Sequence, residues 1–240
     1  MPFHRQSLRR RVFHRSCAKE SNAEHAVYGS FMQYFEDVLY LCGDIGFTIG
    51  SVFLFPSLDM DFGLASSWLF IGFSAMNMVL GSHDLFETLQ AKKLGLTSLE
   101  RSEVLECLMN LLSALLFTVG CFLGLPNFDT DDFWWDDLFS VFGSFALVVS
   151  SFYNALGMAA DKSETLLSRI CLCCSLTGAV MFTTGSCLYL PKIVDVDVAY
   201  NLGTWLYVLG SALFTTSGII STVMIYQASQ QQDKKADATL

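Results

Sequence analysis

Hydrophobic positions along the chain fall into six long blocks divided by polar breaks: Val38–Phe55, Leu64–Gly81, Leu105–Leu125, Leu138–Leu156, Ile170–Leu190 and Leu202–Tyr226. Each holds 18 to 25 residues, close to the roughly 20 that a helix needs to cross a hydrocarbon layer. Inside the blocks the only charges are Asp44 and, at an edge, Glu106. Backbone in lipid must satisfy its own N–H and C=O groups, so such runs predict helices. A membrane barrel would alternate apolar and polar positions, and these blocks do not. The expected fold class is all-α, a polytopic membrane protein with six transmembrane helices.

The breaks differ in character. Residues 57–63, 126–137 and 191–201 are short and acidic, whereas 82–104 and 157–169 are longer and mixed. With the N-terminus on one side, six crossings leave 13 of the 14 Lys and Arg on that side and only Lys192 on the other. The excess of basic residues on one side predicts both termini on the cytoplasmic (or equivalent) face.

The odd-numbered blocks share a motif. Phe47-Thr48-Ile49-Gly50-Ser51 precedes Pro56, Phe117-Thr118-Val119-Gly120-Cys121 precedes Pro126, and Phe182-Thr183-Thr184-Gly185-Ser186 precedes Pro191. Seven residues before each Gly stands another small residue: Gly43, Ser113 and Gly178. In the even-numbered blocks Trp68, Leu138 and Trp205 are followed six residues on by Ser74, Ser144 and Ser211, then by Gly81, Ser151 and Gly218. Three copies of one helical hairpin are expected, at 34–84, 104–156 and 168–226. A basic soluble arm, 1–33, would precede them and a disordered polar tail, 227–240, would follow.

Seven residues at about 100° each bring two small side chains back to nearly one helix face. Small residues there let helix backbones approach closely, a main source of packing in lipid. Gly46 and Gly50, and Gly120 and Gly124, add the four-residue small spacing. The proline ends each odd helix, because it lacks an N–H and clashes with helix before it. Three units of two helices each run parallel, so a pseudo-threefold axis along the membrane normal is expected; a linear row is the alternative.

The hairpin resembles the YrhK-like family of small membrane domains. Gly50-Ser51-Val52-Phe53-Leu54-Phe55 with Trp68-Leu69-Phe70-Ile71-Gly72 carries the resemblance in the first copy. Gly185-Ser186 with Trp205-Leu206-Tyr207-Val208-Leu209-Gly210-Ser211 carries it better in the last. The middle copy departs, with Cys121 and Leu138 in place of Ser and Trp. The resemblance implies a membrane protein of two-helix units and supplies no reaction or catalytic residue.

Composition narrows the function classes. The chain is 52 % hydrophobic and 15 % charged, with net charge −9 and mean hydropathy +0.45. That excludes a disordered chain and argues against a water-soluble domain or a nucleic-acid partner. The outer breaks carry Asp59 and Asp61, Asp129 and Asp131 (with Asp132, Asp136 and Asp137), and Asp195 and Asp197. These oxygens could gather cations; alternatively they are the ordinary acids of translocated loops. Thr48, Thr118 and Thr183 could line a narrow path on the axis, or could each bond a carbonyl of their own helix. Asp44, an ionisable residue inside a span, is a candidate proton or cation site; pairing with Arg169 or bonding to Thr48 are the alternatives. Asn77 and Asn110 are expected to hydrogen-bond between helices. Cys171, Cys173 and Cys174 are candidates for acylation or plain apolar filler. The histidines (4, 14, 25 and 83) fall outside the blocks, and no nucleotide, hydrolase or zinc-protease motif occurs.

The expectation is therefore an integral membrane protein of structural or assembly type, without an enzymatic centre, cofactor or metal. Its partners would be the bilayer and other membrane subunits. A small cation channel or transporter using Asp44 and the acidic outer face is the alternative.

Overall fold

The computed structural model describes residues 23–93, 101–125, 135–160, 165–190 and 196–237. Among them every regular element is an α-helix: α1 (Ala23–Phe53), α2 (Pro56–Lys93), α3 (Arg101–Leu123), α4 (Trp135–Ala160), α5 (Leu166–Tyr189) and α6 (Val196–Asp237). Five segments are long and apolar enough to cross a membrane: Asp61–Phe86, Ser102–Leu123, Trp135–Met158, Leu166–Tyr189 and Val198–Gln227. They make this an integral, multi-pass membrane protein. α1 stands apart because Glu36, Asp37 and Asp44 all fall within its last 18 residues.

The turns reflect proline chemistry. The residue before each proline donates its N–H to the carbonyl three back: Phe55 to Val52 (3.2 Å), Leu125 to Phe122 (3.3 Å) and Leu190 to Cys187 (3.3 Å). Each odd helix thus closes on a tightened last turn, which satisfies carbonyls that the helix end would orphan. Pro56 then opens α2 at its first position, where a missing N–H costs nothing.

Several boundaries differ from the sequence reading. α2 starts at Pro56, so 57–63 is helix and not a loop. α1 reaches back to Ala23, into the stretch expected as a soluble arm, and α6 runs on to Asp237, through most of the expected tail. Residues such as Ala, Gln and Lys are good helix formers, and a helix that has already started extends at little cost. Hydrophobicity marks where lipid is, not where a helix stops.

Each helix packs chiefly against its neighbours in sequence, and α6 returns to α1, closing a ring. The contacts are closest within α3–α4 and α5–α6. Large apolar side chains such as Val79, Phe142, Phe145 and Val198 point outward, more than half exposed. The interior holds many small polar groups, among them the fully buried Ser51, Ser66, Ser113, Ser144, Ser175, Ser211 and Ser217. Lipid rewards apolar side chains outside, and small residues inside let the helices touch.

Candidate functional site

The centre of the bundle is built from the first residue of the repeated motif. Phe47, Phe117 and Phe182 meet with ring centroids 6.5, 6.4 and 6.1 Å apart, all edge-to-face. That spacing and tilt suit the quadrupoles of aromatic rings. Leu147, Ala179, Tyr207 and Phe214 complete the cluster.

The small residues of the motif lie against the partner helix of their own hairpin. An added Cβ on Gly178 would stand 2.9 Å from the Gly210 carbonyl, and one on Gly185 3.2 Å from the Gly203 carbonyl. Gly120 faces the Asp136 carbonyl and Phe139, Gly50 faces the Phe70 ring, and Gly43 faces Met76 and Asn77. Ser113 is buried, its hydroxyl without a hydrogen-bond partner. The serines of the even helices reach the next hairpin. Ser144 Oγ lies 3.3 Å from Ser186 Oγ, and Ser211 Oγ 3.4 Å from Ser51 Oγ. Ser74 has no such bond; its buried hydroxyl is without a partner, and the corresponding motif position on α3 is Cys121.

Thr48, Thr118 and Thr183 each donate to the carbonyl four residues back, on Asp44 (3.0 Å), Ala114 (2.8 Å) and Ala179 (2.9 Å). Thr48 also meets Thr215 of α6 at 3.0 Å. Asp44, only 3 % exposed, turns toward α6: its Oδ2 lies 3.0 Å from where a Cβ on Gly218 would be. Thr48 therefore bonds the Asp44 backbone. Asn77 makes no interhelical bond, contrary to expectation: it is buried with both amide atoms unpartnered. Asp61 is exposed on α2. Asp129, Asp131 and Asp195 lie outside the described residues, as do the side chains of Asp59 and Asp197. Cys171 is fully buried with Sγ 2.9 Å from Ser217 Oγ, whereas Cys173 is exposed.

A second cluster went unread in the sequence. At the far end of α1–α2 from the Pro56 turn, Glu36, His83 and Asp84 bring their donor atoms within 4.8 Å of one another. Among the described residues this is the group able to hold a metal ion. His83 Nδ1 lies 3.0 Å from Glu36 Oε1. The buried Tyr40 donates its hydroxyl to Asp84 Oδ2 at 2.8 Å. A signal was present: Glu36 lies seven residues before Gly43, and His83 and Asp84 follow Gly81 by two and three. All three sit just beyond the apolar blocks, at the two ends of the hairpin expected at 34–84.

No curated protein and no solved structure matches the chain. The family model of YrhK-like proteins matches residues 167–225, the α5–α6 hairpin, and this segment is similar to that family.

Proposed function

We propose that the protein is a structural or assembly module of a membrane, with six spans formed from three like hairpins about a pseudo-threefold axis. Both chain ends lie on the cytoplasmic (or equivalent) side, and the working partners are the bilayer and other membrane subunits. No reaction is assigned to it. The observation that carries this reading is the packed triangle of Phe47, Phe117 and Phe182, which fills the axis that a conducting path would need. The threefold relation is supported by the like positions of those rings in the motif and by the recurring bond before each proline. α1 is counted as the sixth span because it packs against both α2 and α6. Without it, both would lose a neighbour.

Purified protein in liposomes tests the proposal. No K⁺ or Na⁺ flux above protein-free vesicles is expected, together with migration in a larger complex in native membranes. Buried Asp44 favours the second reading, a small cation channel or transporter. Flux that is lost in Asp44→Asn would establish it and overturn the structural one.

A further inference from the structure

Two carboxylates and an imidazole meet where α1 and α2 come together at the end remote from Pro56. We propose that Glu36, His83 and Asp84 bind one divalent transition-metal ion, of the class running from Mn²⁺ to Zn²⁺. The inference does not depend on the structural role argued above. Imidazole nitrogen with two carboxylate oxygens suits these borderline ions, whereas Ca²⁺ and Mg²⁺ take oxygen alone. Metal–ligand bonds of about 2.0–2.2 Å put donors around a common ion roughly 3–4 Å apart. The 3.0 Å separation of His83 Nδ1 and Glu36 Oε1 already fits. All the donor atoms lie within 4.8 Å of one another, and His83, whose side chain is 46 % exposed, has room to adjust.

The surroundings suit a site and not merely an ion pair. Glu36 and Asp84 are 8 % and 3 % exposed, so both carboxyl groups are held in the wall between the helices beside the imidazole. Tyr40 holds Asp84 Oδ2 from behind, as outer-shell donors hold ligating carboxylates. Thr88 bonds the Asp84 carbonyl and closes the wall with Cys107. The exposed imidazole leaves one side open for water ligands and for entry of the ion.

The other hairpins provide an internal comparison. At the positions of Glu36, His83 and Asp84 the second carries Glu106, Tyr153 and Asn154, and the third carries Cys171, Ile220 and Ser221. The third hairpin joins its helices at this level through Cys171 and Ser217. An ionisable triad is therefore not required to hold such a hairpin together. Only the first copy has the complete donor set.

The test is a titration of the full chain, chelator-stripped and in detergent micelles, with Co²⁺ read by its visible absorption and with Zn²⁺ in competition. One equivalent is expected to bind with a spectrum showing nitrogen and oxygen ligation. His83→Ala and Asp84→Asn should each abolish the band, and Tyr40→Phe should weaken binding about tenfold. Glu106→Gln should leave it unchanged. Gel filtration and helical circular dichroism identify any variant that fails to fold; the shape-conserving Glu36→Gln then takes its place. Absence of stoichiometric uptake by the wild-type chain, or uptake unchanged in the folded His83 and Asp84 variants, would overturn the site. Neither liposome flux nor a partner enters this readout, so it can fail while the structural reading stands, or the reverse.

Discussion

Gly178→Ala puts one methyl group into the seam where the backbones of α5 and α6 touch. The new carbon would stand 2.9 Å from the Gly210 carbonyl oxygen and 3.4 Å from the Phe214 ring. Carbon–oxygen contacts settle at about 3.3–3.6 Å, so α5 and α6 must separate by about 0.5 Å. The opposing wall is backbone and cannot rotate away. Overpacking of this kind costs about 1–3 kcal/mol. Alanine also brings better helix propensity, worth up to about 1 kcal/mol, which must be separated from the clash. Gly72→Ala does that, because nothing lies within 4 Å of its added carbon. The difference between the two variants is then the clash alone, about 1–3 kcal/mol, or roughly 5- to 150-fold in the unfolding equilibrium. Reversible unfolding in mixed micelles with increasing dodecyl sulfate, followed by tryptophan fluorescence, measures it. Equal midpoints for the two variants would refute the close-contact account of the seam.

Three further predictions follow from the same packing. Phe117→Ala should cost about 3–5 kcal/mol by opening the aromatic centre, while outward-facing Phe142→Ala should stay within about 0.5 kcal/mol; the same unfolding assay compares them. Cys121→Ser should give Ser74 the partner that Ser144 and Ser211 already have, stabilising by about 0.6 kcal/mol, with no gain in a Ser74→Ala background. A maleimide should modify exposed Cys173 in the folded protein and reach Cys171 only after unfolding; equal rates measured by mass spectrometry would contradict the buried Cys171–Ser217 contact.

The helical class and the membrane setting were legible because charge-free runs of hydrocarbon length leave the backbone no alternative to helix. The proline stops were legible for a similarly local reason. Helix ends in water were not. Nothing in the apolar pattern says that α6 continues to Asp237 or that α2 begins at Pro56, since there the competition is between helix and solvated coil. The identity of the central ring was hidden too. The motif pointed to its threonines, yet Phe47, Phe117 and Phe182, one position earlier, meet at the centre, because a step of one residue turns the helix by about 100°. The Glu36–His83–Asp84 cluster lay beyond reach for another reason. Glu36 on α1 stands 47 and 48 residues before His83 and Asp84 on α2, and all three fall outside the apolar blocks, so only the hairpin register brings them together.

That register also separates the two halves of the bundle chemically. Along one face of the even helices, steps of seven residues give Phe70, Asn77 and Asp84 on α2, Ser140, Leu147 and Asn154 on α4, and Tyr207, Phe214 and Ser221 on α6. On α6 the face stays aromatic as far as Phe214, which packs on Phe182 at 5.7 Å. On α2 the same face has turned polar by Asn77. Among the described residues the buried carboxyl groups gather mainly in the first hairpin, with Glu36, Asp37, Asp44 and Asp84 against Glu106 in the second, and there the helix pair is the least tightly joined of the three. Buried charge is tolerated only where other contacts supply stability. The α3–α4 and α5–α6 hairpins and the aromatic centre are the parts able to supply it. Small-residue seams and aromatic rings thus account for the cohesion of the ring, and the departures of α1 and α2 from that pattern are where specific chemistry of this chain is to be sought.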